Sequence, residues 1–117
     1  MNHVRLRTDR AIGLLKDAVI DVLKNARESG YVDIPPKKCK PDPDGGQPYI
    51  EATYIGKEMG TYERGREKGR SPGRIHREIL EKLQDECRVE PLLSESGKVR
   101  IGWRLTEAEW KRLTLDK

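Results

Sequence analysis

The chain has 117 residues, of which 38% are charged and 34% hydrophobic, and its formal net charge is +4 at pH 7. This length predicts one domain, spanning residues 1–117, with a modest core beneath a heavily ionic surface. No apolar run approaches the roughly 20 residues that cross a bilayer, so a membrane segment is not expected.

The first predicted element is a long helix that ends near Gly30. Thr8 is a candidate N-cap, and the residues before it are expected to form a short basic lead outside the helix. Apolar residues recur on one face of this helix, namely Ile12, Leu15, Val19, Val22, Leu23 and Ala26.

Residues 31–34 are predicted to form a brief strand, and residues 37–47, rich in Pro, Asp and Gly, a loop without regular structure. A second helix is predicted to open at Pro48 and to stop at Gly60. The residues that it would turn to the core are Ile50, Tyr54, Ile55 and Met59.

Residues 60–70 mix glycine with charged side chains and are predicted to form a basic connector. Between residues 57 and 77 there are seven Lys or Arg and three Glu, so this window has the same net charge as the whole chain. Glycine permits close approach of the backbone and arginine offers paired donors, which suits a phosphate backbone.

A third helix is predicted over about residues 72–86, with Ser71 as N-cap and Pro72 at its first position. Ile75, Ile79, Leu80 and Leu83 form its apolar stripe. The opposite, exposed face is expected to include Arg74, His76 and Arg77.

Residues 89–93 and 98–105 are two strand-like runs around a four-residue turn and predict a hairpin. Thr106 with Glu109 forms a capping-box pattern for a short last helix. The second run is expected to bury one apolar face, made of Val99, Ile101, Trp103 and Leu105. Its other face is basic, with Lys98, Arg100 and Arg104. Both Trp103 and Trp110 are interpreted as core or interface residues.

Over about the last forty residues the chain resembles winged helix-turn-helix proteins. Many of these run from a recognition helix through a pattern like "L..L...G.V" into a basic hairpin and then "LTE.E". The matching residues here are Leu80, Leu83, Arg88, Val89, the hairpin and Leu105 to Glu109. Cys87 stands where such proteins often have glycine. The resemblance implies an α+β winged-helix domain with three main helices, a β-hairpin wing and a short C-terminal helix.

The resemblance also implies binding of double-stranded DNA, as a transcriptional regulator or the DNA-reading module of a larger system, without enzymatic activity or a cofactor. The groove-facing residues would be Arg74, His76 and Arg77, near the start of the helix that Ser71 caps. The phosphate contacts would come from Arg66, Lys68, Arg70, Lys98, Arg100 and Arg104. Winged helices often dimerise, and the first helix or the Trp110 segment are candidate interfaces.

Other interpretations stay open. The basic helix and strand faces are also compatible with ordinary solvated surfaces, and winged helices also serve as protein docking modules. A small metal-dependent nuclease built on Asp42, Asp44 and Glu51 is a weaker alternative, because the lysine expected after Glu51 is absent. A zinc site is disfavoured by the spacings of its possible ligands, which are His3, Cys39, His76 and Cys87. Two isolated cysteines with no CxxC pair favour a reducing cytoplasm.

Overall fold

The computed structural model describes residues 3–60 and 74–115. In these ranges the chain forms four α-helices, which are α1 (His3–Glu28), α2 (Ala52–Met59), α3 (Arg74–Asp85) and α4 (Glu107–Thr114). It also forms four strands, which are β1 (Cys39–Lys40), β2 (Tyr49–Ile50), β3 (Val89–Leu93) and β4 (Arg100–Leu105). The strands make one antiparallel sheet in the order β1-β2-β4-β3. The fold is α+β, as predicted.

Helix α1 begins at His3, so the expected cap at Thr8 is wrong and the residues before it are helical. No proline or glycine interrupts residues 3–7, and nothing there breaks the helix. Its end near Gly30 is confirmed. Gly30, at φ 71°, donates to the Arg27 carbonyl at 3.1 Å, and the Tyr31 amide donates to the Ala26 carbonyl at 2.9 Å. These two bonds are the pair that closes a Schellman motif.

The predicted strand at residues 31–34 is a turn, and the strand lies instead at Tyr49–Ile50, where a helix was expected to open. Ile50 pairs with Trp103 of β4 and is 1% exposed. This pairing overrides the local preference, and α2 starts only at Ala52. Residues 37–47 were expected to lack regular structure, but a short 3₁₀ helix (Pro36–Lys38) leads into β1 there.

Helix α3 ends at Asp85, and Cys87, two residues later, adopts the left-handed backbone conformation at φ 60°. The Cys87 amide donates to the Gln84 carbonyl and the Arg88 amide to the Leu83 carbonyl, both at 2.9 Å. The chain therefore closes this helix by the same Schellman pattern as α1, with a cysteine where glycine is usual. The predicted N-cap Ser71, Pro72 and the connector at residues 61–70 lie outside the described residues.

The hairpin of β3 and β4 is confirmed, but its apolar alternation is not continuous. Leu92 pairs with Gly102 and Leu93 with Arg100, which leaves Ile101 as an extra residue in β4. This bulge breaks the two-residue period. Trp103 is buried as predicted, whereas Val99 and Ile101 are 56% and 37% exposed, so the expectation that they share its buried face is wrong.

The core lies between α1 and the unit made by α2, α3 and the sheet. Its buried side chains are Val19, Ile20, Leu23, Ala26, Ile34, Ile50, Ile55, Ile79, Leu80, Leu83, Val89, Trp103 and Leu105. Ile75, expected in this core, is 53% exposed because it lies on the outer side of α3. No helix in the described ranges has both the length and the apolar character that a membrane span requires.

The start of α4 combines a side-chain cap with a buried ion-pair cluster. Thr106 Oγ1 accepts from the Glu109 amide at 3.1 Å, so the predicted N-cap is confirmed. The Glu109 carboxylate does not complete the capping box. It accepts instead from Arg88 Nε at 2.8 Å and Arg112 Nε at 2.7 Å, and it is 4% exposed. The cluster ties α4 to the segment that follows α3.

Candidate nucleic-acid interface

The outer side of α3 has a mixed character. Arg77 is exposed there, as predicted, and Lys82 adds a second cation. Three acidic residues, Glu78, Glu81 and Asp85, are exposed on the same helix. Arg74 is the first residue of α3. Among the described side chains, the helix therefore exposes one arginine, Arg77, in its N-terminal half, while its C-terminal half is slightly acidic.

His76 lies on the inner side of α3, not on the exposed face where the sequence placed it. Its ring is fully buried against Gly56 of α2, so closely that a Cβ on Gly56 would overlap the ring. Burial, assisted by the positive charge of Arg77, lowers the pKa of His76 to about 4. The ring is therefore neutral at pH 7, and it joins two helices instead of facing a groove.

Arg100 connects the hairpin to the outer side of α3. Its Nη1 donates to Glu81 Oε1 at 3.0 Å, and its guanidinium carbon lies 5.8 Å from the centroid of the Trp103 ring. Glu81 follows Arg77 by one helical turn, so the two arginines lie on one surface. Lys98 is exposed at the turn end of the same hairpin. We call Arg77, Lys98 and Arg100 the basic face.

Arg104 is engaged in a network of its own, away from this basic face. Its Nη1 donates to Asp42 Oδ2 at 2.8 Å and to the Gln47 carbonyl at 2.7 Å, and its Nη2 to Glu90 Oε2 at 3.2 Å. The guanidinium also lies 4.3 Å from the centroid of the Tyr49 ring. With so many partners, Arg104 holds the loop before β2 against the sheet.

Asp42, a candidate nuclease residue, is the acceptor at the centre of this loop. Backbone N–H groups of Asp44 and Gly46 donate to its two carboxylate oxygens at 2.9 and 3.0 Å. The hydrogen bond from Asp44 and then the Arg104 side chain lower the pKa of Asp42. Glu51 instead forms ion pairs with Lys38 and Lys40. Within residues 3–60 and 74–115, no group of three or more His, Cys, Asp or Glu could hold a metal ion.

Four predicted phosphate or cap residues, Arg66, Lys68, Arg70 and Ser71, lie outside the described residues. The structure adds a feature that the sequence analysis missed, which is an exposed apolar group at the tip of the hairpin. It consists of Leu93, Val99 and Ile101, which are 49%, 56% and 37% exposed. The sequence shows a turn nearby, but it does not show where the bulge in β4 falls, and the bulge decides which side chains are exposed.

Comparisons with protein-family models, with curated proteins and with solved structures found no match for this chain.

Proposed function

We propose that the protein binds double-stranded DNA as a winged helix, with α3 in the major groove and the β3–β4 hairpin as the wing. The order of elements supports this proposal, since α1, β2, α2, α3, β3 and β4 follow one another as a helix, a short strand, two helices and a hairpin. The strand order supports it too, because β2 pairs with β4 beside the hairpin.

The observation that carries the proposal is the 3.0 Å contact between Arg100 and Glu81. It joins the hairpin to the outer side of α3, so that Arg77 on the helix and Lys98 and Arg100 on the hairpin can meet one partner together. A helix and a wing that act on the same duplex need this proximity. In the proposal, Arg77 contacts a base edge in the groove and Lys98 and Arg100 contact phosphates.

Residues 61–73 extend the proposed interface by sequence. They contain four Lys or Arg and two Glu, including Arg66, Lys68 and Arg70, and they directly precede Arg74 at the start of α3. A basic segment before a groove-entering helix would meet the phosphates that flank the groove. His76 and Arg104 have no DNA contact in this proposal. They hold α3 and the sheet in position.

A second candidate function is docking on a protein. It is favoured by the exposed apolar tip of the hairpin and by the acidic residues Glu78, Glu81 and Asp85 beside the basic face. Exposed apolar side chains next to mixed charges are more typical of a protein interface than of a phosphate contact. The two candidates differ in whether the protein binds duplex DNA at low salt.

The test is titration of a labelled random duplex at several salt concentrations. If about six phosphates are neutralised, log K should fall with log [salt] with a slope of about −5, since each contact contributes about 0.9. Arg100→Ala should weaken binding to the duplex. Lys111→Ala, which removes an exposed cation from α4 and so lies outside the basic face, is the matched control and should not. No binding at low salt would overturn the DNA proposal and leave protein docking in its place.

A further inference from the structure

An exposed stripe runs along the outer side of α1, away from the core. It consists of Arg10, Leu14, Asp17 and Asp21, and we call it the α1 stripe. Leu14 is 71% exposed, although the helix buries Val19 and Leu23 completely or nearly so on its other side. Among the described residues, no hydrogen bond or ion pair reaches the charged members of this stripe.

The charges of the stripe are poorly placed for a helix that stands alone. Asp17 and Asp21 are one turn apart on the same face and repel each other. At the other end, residues 3–10 contain three Arg and one Asp, and the first turn has no acidic residue. Both ends of the stripe therefore lack a complement within the described chain.

We propose that α1 pairs antiparallel with α1 of a second copy of this chain, about a two-fold axis near Leu14. In such a pair, a residue that precedes Leu14 by some number of positions faces the residue that follows Leu14 by the same number in the other copy. Arg10 then lies at the level of Ala18 of the second copy, between its Asp17 and its Asp21.

The two-fold axis repeats this contact, so Arg10 of each copy lies beside Asp17 and Asp21 of the other. Leu14 packs on Leu14 of the second copy at the centre, where both side chains become buried from water. Ala11 and Ala18 on either side are small and let the two helices approach closely. The antiparallel arrangement also opposes the two macrodipoles.

Charge complementarity is what selects a second copy as the occupant of the stripe. A basic end, an apolar centre and an acidic end form a surface that matches itself when it is reversed. The α1 stripe contains no residue of the basic face, so this inference goes beyond the proposed DNA binding. The interface is small and rich in exposed ion pairs, so the association should be weak and should weaken further with added salt.

Complementary charge reversal tests the pairing with the full chain. Arg10→Asp makes the stripe entirely acidic, and Asp17→Arg with Asp21→Arg makes it entirely basic. We expect the wild type to show a concentration-dependent monomer–dimer equilibrium in analytical ultracentrifugation. Each variant alone should raise the dimer Kd by about tenfold or more, and an equimolar mixture of the two should recover dimer formation.

The control pair places the same charge changes outside α1, with Lys111→Asp in one chain and Asp33→Arg with Glu95→Arg in the other. All three positions are exposed. These variants should form the wild-type dimer alone and gain nothing on mixing. Leu14→Asp should abolish the dimer while circular dichroism shows an unchanged melting temperature. A wild type that stays monomeric at high concentration, or a reversed pair that fails to recover on mixing, would overturn the proposal.

Discussion

The unit formed by α3 and the β3–β4 hairpin has an inner side that packs in the core and an outer side that is exposed to solvent. Polarity alone does not decide which residues lie on which side. On the inner side, Leu80 and Trp103 are buried together with the polar His76. On the outer side, the apolar Ile75 and Val99 are more than half exposed. Burial therefore depends on what packs against each element. Polarity alone would predict the reverse, with Ile75 buried and His76 exposed.

This difference separates stability from binding. Changes on the inner side remove contacts within the core and should alter the free energy of unfolding. Changes on the outer side should leave that free energy nearly unchanged and alter only association with a partner.

Replacing Trp103 with Ala should have the largest effect. The side chain is 3% exposed and packs in the core, so its loss should reduce the free energy of unfolding by about 3–5 kcal/mol. Val99→Ala, on the same hairpin but exposed, should change it by less than about 0.5 kcal/mol. Urea unfolding monitored by the circular dichroism of the backbone measures both, because this signal does not rely on the replaced tryptophan. Equal midpoints for the two variants would contradict the distinction between the two sides.

The stability of the protein should fall between pH 6.5 and pH 4 because of His76. Its pKa is lowered to about 4 in the folded state, from 6.5 when unfolded. Above pH 6.5 the ring is neutral in both states. Below it, the unfolded chain binds a proton that the folded chain excludes, and the loss reaches about 3 kcal/mol near pH 4.

His76→Gln provides the control for this pH dependence, because glutamine does not titrate. Urea midpoints measured between pH 6.5 and 5 should then be nearly constant. Near and below pH 4.5, protonation of Asp42, Glu86 and Glu109, whose pKa values are lowered by their partners, adds a further loss in both proteins. The same slope in the variant as in the wild type above pH 5 would assign the effect to another group.

Gly56→Ala should destabilise the fold by about 1–3 kcal/mol, because the new Cβ would overlap the His76 ring. Gly13→Ala is the matched control within a helix. No atom lies within 4 Å of the Cβ it would add, so it should stabilise the protein by about 0.5–1 kcal/mol. Thermal unfolding of both variants checks the opposite signs, and a stabilising Gly56→Ala would show that the ring can move aside.

On the outer side, Arg77 and Arg100 should affect DNA binding in different ways. Arg77→Ala should lose about 1–3 kcal/mol on a selected preferred sequence and much less on random duplex, as a base contact does. Arg100→Ala should weaken both duplexes alike and reduce the salt slope by about one unit. Equal losses on the two duplexes for both variants would instead make the basic face a backbone-binding surface.

Several features that depend on local sequence were predicted correctly, although the start of α1 was not. The end of α1 at Gly30, the inner residues Ile79, Leu80 and Leu83 of α3, and the cap at Thr106 all depend on neighbours within a few positions. The two-residue strand Tyr49–Ile50 was missed, because such a short segment has no period and is specified by its pairing with Trp103.

The surroundings of the candidate site residues were less predictable, because they depend on contacts between distant segments. His76 is buried because Gly56 of another helix leaves space for its ring, and this space is invisible in the α3 sequence. Arg104 was taken as a phosphate contact, but its partner Asp42 lies 62 positions earlier. Arg77, Lys98 and Arg100 were placed on an exposed surface by pattern alone, and the structure does expose them.

The left-handed cysteine at the end of α3 also offers a practical handle for spectroscopy. Cys87 is exposed, whereas Cys39 is partly buried and its pKa is raised by that burial, which lowers its thiolate fraction. A maleimide dye should therefore react first at Cys87. The probe would then sit where α3 meets the hairpin, and its fluorescence would report the approach of any partner to that corner without a single engineered residue.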